Sequence, residues 1–436
     1  MNTFERISEL IKKIPLIDVH THIDLMHLSA RGLHDVLLYH MIVSELYSAG
    51  CPDGNRLSEL PDEMEAKTRL DNAIPFVKYI QYSSCFSIVK RILRDLYGFS
   101  GDITAENAKQ IDQVIKEQYK SGFADEILKK ANIVSVNTEY CKKHGFDNEK
   151  FFYSLEWAFF TRNQYGIYDA PVLELEVASS QNEPEGPMPV TVDEKQYASR
   201  TRIETVEQLD EAMEIYVSKI PFSKIVSMPT HFSTDIHYGE VTADQMSKAL
   251  LNRKNAGILE RDIYANYINN KYFEILAKYN KRAAVSISIG AEPLKFETAS
   301  KLNAETLYAI ESLANKYSNI DFIIFNGSDY QDTTLATIIR ETQNVYAAGF
   351  WWHNFYPSSI SKIIRDRLER IPINKWFGYF SDAYCVDWAY GKSMLIKDCY
   401  AHTLSDLVDK KYFSFDDAEY VAKQLMYQNA KDYFNI

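Results

Sequence analysis

Apolar positions fall into two rhythms along this chain. A short continuous run, Ile17-Asp18-Val19-His20-Thr21-His22-Ile23, reads as a buried strand over Leu16–His22, entered at Pro15. Met1–Lys13 has the period of an amphipathic helix. From Gly32 to Gly122 the pattern is helical, predicting helices over His34–Ser48, Pro61–Tyr82, Phe86–Tyr97 and Ala105–Tyr119. Gly50 and Pro52 stop the first of these. Beyond residue 122 the two rhythms alternate. Helices over 124–130, 148–164, 206–219, 264–278, 304–317, 333–342 and 360–370 each lead into a strand. The strands lie over 133–138, 172–177, 225–228, 284–289, 322–325, 345–352 and 377–381. Residues 181–189, rich in Pro and Gly, read as a loop, and the chain from Lys392 onward is helical.

Eight strands alternating with helices predict an α/β fold, a distorted (β/α)8 barrel with a helical insertion after strand one. The expected organisation is residues 1–29 for the first helix and strand, 30–122 for the insertion, and 123–436 for the rest of the barrel. A doubly wound sheet is the alternative, but no glycine-rich phosphate fingerprint supports it. In a barrel the chemistry gathers at the carboxyl ends of the strands. There stand His20 and His22, Glu139, His231 and His237, His353, and Asp382 at the end of Phe380-Ser381-Asp382.

Composition narrows the function. The formal net charge of -12 argues against nucleic acid as a partner. Five cysteines with no CxxC pair indicate neither a disulfide framework nor a zinc ribbon. The charged N-terminus is not a signal peptide, and no apolar run approaches the roughly 20 residues that span a bilayer. The expectation is a cytoplasmic protein.

Side chains two apart on a strand share a face, so His20 and His22 can grip one cation. Strands one and eight are neighbours in a closed barrel, which would add Asp382. Imidazole and carboxylate suit a divalent ion, zinc first, with manganese or cobalt as alternatives. His231 and His237 sit in a loop, where either could complete the metal shell, touch substrate or simply face solvent. Trp351, Trp352 and His353 could wall a polar substrate or pack the barrel top. His40, on the first inserted helix, would alone read as an ordinary core or surface histidine.

Taken together these motifs resemble the amidohydrolase superfamily, and within it most closely uronate isomerase. The first strand is similar to that family's Asp-x-His-x-His strand. Residues 123–139 resemble its second helix–strand unit, Gly349-Phe350-Trp351-Trp352-His353-Asn354 its seventh strand, and Gly378-Tyr379-Phe380-Ser381-Asp382 its last. The resemblance implies a metal-dependent isomerase that interconverts an aldose acid and its ketose. It implies His20, His22 and Asp382 as metal ligands, Asp382 as general base, and His40 or Tyr384 as a proton shuttle. His40, Trp351, Trp352, His353 and His231 would contact substrate. Expected partners are a sugar acid and further copies of the chain, with no nucleic acid and no membrane. The chain also departs from the family. Tyr384 stands where the last strand carries arginine, Val172-Leu173-Glu174-Leu175-Glu176 lacks the third strand's arginine, and Ser288-Ile289-Gly290 replaces His-Ile-Gly. Arginine forks are the usual holders of a carboxylate. The second reading is therefore a hydrolase of a lactone, ester or amide, and the third a non-catalytic barrel that binds a ligand.

Overall fold

The computed structural model describes residues 1–25, 27–52, 63–138, 150–156, 174–177, 199–202, 205–218, 225–228, 239–278, 283–290, 304–351 and 355–436. Glu139, the loop 181–189, His231, His237, Trp352 and His353 lie outside them. His40 is described as backbone only. The chain divides into two compact units, Met1–Val136 with Gly349–Glu369 and Trp376–Ile436, and Asn137–Ala348 with Arg370–Lys375.

In the first unit helix α1 (Thr3–Lys13) starts at a reciprocal cap between Asn2 and Glu5, an arrangement worth about 1 kcal/mol. Its Ile7 and Ile11 are buried, and Phe4 stacks on His402 of the long helix Val386–Asp409. Strand β1 (Leu16–Asp18) is fully buried and pairs in parallel with β2 (Ile133–Thr138). Between them come α2 (Leu33–Leu37), α3 (His40–Ser48), α4 (Glu63–Ile80), α5 (Ser84–Tyr97), α6 (Ala108–Gln118) and α7 (Phe123–Ala131). The long helix buries seventeen of its residues and keeps a partly exposed stripe through Asp398, His402 and Asp406. Helix α5 comes so close that a Cβ on Gly391 would lie 2.5 Å from Ile88. Only glycine permits that approach.

Two readings of the first unit change. The helix expected over His34–Ser48 is two helices, broken where Leu38 and Tyr39 leave helical geometry, with Tyr39 extended at φ -121° and ψ 131°. Strand β1 is also shorter than expected. Past Asp18 the chain runs on without a regular ladder, tied to residues near the end of the chain. Asp382 N–H donates to His20 O (3.0 Å), and His22 N–H donates to Ala383 O (2.9 Å).

The second unit holds a parallel sheet in the order β3 (Phe151–Glu156), β6 (Ile225–Met228), β7 (Ala283–Ile289), β8 (Ile320–Asn326) and β9 (Val345–Ala348), numbered along the chain. Strands β4 (Glu174–Val177) and β5 (Ser199–Arg202) form a separate antiparallel pair. All seven residues of β8 are buried, the mark of a strand covered on both faces. Helices Ala304–Lys316 and Asp329–Glu341 make the crossovers β7 to β8 and β8 to β9. These are the βαβ units that parallel pairing requires.

Here the strand assignment needs correction. Phe151–Glu156, expected within a helix, is a strand paired in parallel with β6. Residues 174–177, part of the third barrel strand expected over 172–177, pair antiparallel with 199–202 instead. Apolar residues at 151, 152 and 155 fit a helix face as well as a strand, and a short apolar run does not distinguish them. Glu174-Leu175-Glu176-Val177 alternates polar with apolar, the pattern of a hairpin strand with one solvated face. The fold is thus α/β with parallel strand pairing in both units.

Candidate metal centre

The site lies in the first unit and is built on the junction between the segment after β1 and residues 381–384. Asp18, at the end of β1, is fully buried and accepts the Ser381 N–H at 2.8 Å through Oδ1. Burial pushes its carboxyl up to about 6, against the opposing pull of Ser381 and His20. Ser381 Oγ in turn accepts the Ala383 N–H at 3.2 Å. This network, with the two backbone bonds to His20 and His22, fixes both partners of the junction.

His20, His22 and Asp382 meet there. Their donor atoms all lie within 4.8 Å of one another. Asp382 Oδ1 is 3.3 Å from His20 Nε2 and 3.2 Å from His22 Nε2. The two imidazoles stand almost perpendicular, with centroids 4.8 Å apart. His20 and Asp382 are buried, while His22 keeps partial exposure. Metal–donor bonds of about 2.0–2.1 Å around a tetrahedral ion set donors about 3.3 Å apart, the spacing of both nitrogen–oxygen pairs here. A neutral imidazole pair with one carboxylate is also the three-ligand set of catalytic zinc sites that keep a position open. The residues therefore fit a small divalent ion.

Asp382 adopts φ 57°, in the left-handed region. Aspartate tolerates that region better than most residues, at a cost of about 1 kcal/mol. Its flanking carbonyls are both held. Lys392 Nζ donates to Ser381 O at 2.6 Å and to Tyr39 Oη at 2.9 Å, and the Tyr39 hydroxyl donates to Asp382 O. Lys392 is completely buried, with its ammonium 4.1 Å from the Phe355 ring centroid and 4.8 Å from that of Tyr39. Tyr39 is stacked on Trp388 at 4.2 Å. Burial pushes the Lys392 ammonium down to about 7, although Asp382 and Asp18 favour its charge. Burial first, then Asp382, raises the Tyr39 phenol well above its usual value.

The other sequence candidates are more scattered. The half-buried Tyr384 ring lies 5.4 Å from that of His22 and 5.5 Å from that of Tyr39. Trp351 is buried near the start of the segment Gly349–Glu369. His40 begins α3, next to Tyr39. Sequence reading missed Asp18, Tyr39 and Lys392. The apolar residues that share its helix face, Trp388, Ala389 and Ile396, were the available signal for Lys392.

Comparison with known proteins extends this picture. No family model matches the chain, and no curated protein matches it by sequence. Solved structures do match along nearly its whole length. A uronate isomerase from Thermotoga maritima aligns with a TM-score of 0.72 at 12% identity, over 100% of this chain and 98% of that one. A uronate isomerase from Bacillus halodurans C-125 aligns at 0.65 and 16%, over 99% and 96%. A candidate metal-dependent hydrolase from Lactobacillus casei ATCC 334 aligns at 0.61 and 10%, over 98% and 97%. The chain is thus similar in fold to uronate isomerases and to a metal-dependent hydrolase.

Proposed function

We propose that this protein is a metal-dependent enzyme of uronate isomerase type, acting on a sugar acid and interconverting its aldose and ketose forms. The observation that carries the proposal is the convergence of His20, His22 and Asp382 within 4.8 Å, in a chain whose fold is similar to uronate isomerases. The fold in this reading is a distorted (β/α)8 barrel. The bonds from Asp382 to His20 and from His22 to Ala383 support neighbouring first and last strands.

His20, His22 and Asp382 would hold the ion, zinc in the first instance, which when bound supplies a Lewis acid beside the substrate's oxygens. Isomerisation removes a proton from the carbon next to the carbonyl and returns one to the carbonyl carbon. A hydroxyl proton passes to the other oxygen, so nothing is gained or lost. In this reading Asp382 accepts the carbon-bound proton. Tyr384, beside His22, and His40, at the start of α3, are the candidates for moving the proton between oxygens. Trp351, Trp352, His353 and His231 are proposed to line the substrate.

The test is isomerisation of D-glucuronate and D-galacturonate by metal-loaded protein, with and without chelator. Turnover that the chelator abolishes is expected. Metal-loaded protein inert toward both sugars would overturn the isomerase assignment. One observation favours a second reading. Tyr384 adjoins His22 at the position where the resembled family carries arginine, a phenol in place of a cation that could hold a uronate's carboxylate. On that reading the reaction is hydrolysis of a lactone, ester or amide, and turnover of a lactone panel in place of the aldoses would establish it.

A further inference from the structure

We infer that Lys392 and Tyr39 form a two-point clamp that holds the peptide units on either side of Asp382 in left-handed geometry and so aims its carboxylate at the His20–His22 pair. The inference rests on the metal reading of that trio and adds residues that make no contact with the ion.

Asp382 is one of four non-glycine residues at positive φ among the described residues, and it lies at the junction of the first and last chain segments. A conformation of this kind persists only where surrounding contacts over-determine it. The contacts are specific here. The carbonyl before Asp382 belongs to Ser381 and takes the Lys392 ammonium, and the carbonyl of Asp382 takes the Tyr39 hydroxyl. The ammonium also donates to that hydroxyl, so the two anchors are coupled.

Each anchor is itself immobilised. Phe355, Tyr39 and Trp388 surround the Lys392 ammonium, with ring centroids 4.1, 4.8 and 6.0 Å away. Cation–π attraction offsets part of the cost of burying the charge. Tyr39 is placed by the break between α2 and α3 and by stacking on Trp388 at 22°. A lysine with no structural duty would snorkel to water. This one is completely buried and turned onto two oxygens.

Lys392 and Tyr39 are therefore positioning residues. The test compares zinc affinity, by competition with a chromophoric chelator, across wild type, Lys392→Met, Tyr39→Phe, the double variant and Lys392→Arg. The thermal stability of each is measured without metal. Removing a group that orients a metal ligand weakens affinity about 10–100-fold, and each single variant should lose that much. The double variant should lose little more than either single one, because coupled anchors are not additive. Lys392→Arg, which keeps a cation and its donors, should recover part of the affinity. Tyr39→Phe retains the ring stack, so it keeps the test alive if Lys392→Met does not fold. A merely structural role would lower stability without metal and leave zinc affinity unchanged in the folded protein, which would overturn the inference. Wild type that binds no zinc would instead sink the metal reading and take the clamp with it.

Discussion

Asp382→Asn is the perturbation that probes the candidate metal centre with least collateral damage. Asparagine is chosen because position 382 sits at φ 57°, which asparagine tolerates as well as aspartate and better than alanine. The variant keeps shape and backbone but removes the one carboxylate among the three donors. Its stability without metal should stay within about 1 kcal/mol of wild type. A ligand present at 100 times its dissociation constant stabilises the native state by about 2.7 kcal/mol. At about 2.1 cal/mol/K per residue, the unfolding entropy of a 436-residue chain is about 0.9 kcal/mol/K. Zinc at that concentration should therefore raise Tm by about 3 °C in wild type. If the substitution weakens binding 100-fold or more, the gain falls to about 0.4 kcal/mol and the shift to about half a degree. Thermal melts followed by circular dichroism, with magnesium as a control cation, measure both. Equal zinc-induced shifts in wild type and Asp382→Asn would refute the assignment of Asp382 as a ligand.

Two further perturbations test the frame around the site. Lys397 is buried, donates to Ala131 O at the end of α7 (2.9 Å), and is pushed by burial from 10.5 down to about 8. The unfolded chain binds the extra proton between those values, so this group's contribution to stability is complete above about 10.5 and is lost as pH falls through about 8. From about pH 7.5 to about pH 10, wild type should gain about 2 kcal/mol relative to Lys397→Met in urea denaturation. Parallel pH profiles would contradict this. Gly349 has φ 49°, and a Cβ there would lie 2.3 Å from Phe380 Cδ1, whose ring packs edge-on against His20 at 5.4 Å. Gly349→Ala should cost about 2–4 kcal/mol in denaturation and also weaken zinc binding. A change under about 0.5 kcal/mol would show that the Phe380 ring moves freely out of the way.

The legible part of this protein was the part with a local signature. His20 and His22 could be singled out from sequence by their spacing, although the strand ends at Asp18 and the backbone bonds to Asp382 and Ala383, not strand alternation, hold the pair in place. The fold class was legible for a similar reason. Runs such as Phe322–Phe325, which the structure extends to the buried strand Ile320–Asn326, and the amphipathic helices between them announce parallel pairing with crossovers. Where the local signal was degenerate the reading failed. Phe151–Glu156 supports helix or strand equally well, and only its pairing with β6 chose between them. The antiparallel pairing of 174–177 with 199–202 took away the strand that sequence had placed in the main sheet.

By itself, then, the sequence determined the two-histidine motif, the apolar run ending in Asp382, and an α/β rhythm with a helical insertion. Tertiary structure alone decided that the chain breaks its helix at Tyr39 and sinks Lys392 into an aromatic box. It also decided that both turn onto the carbonyls flanking Asp382. The physical reason is one of range. Periodicity and propensity act over a few residues, whereas burying an ammonium depends on partners 353 residues away, which no local pattern records.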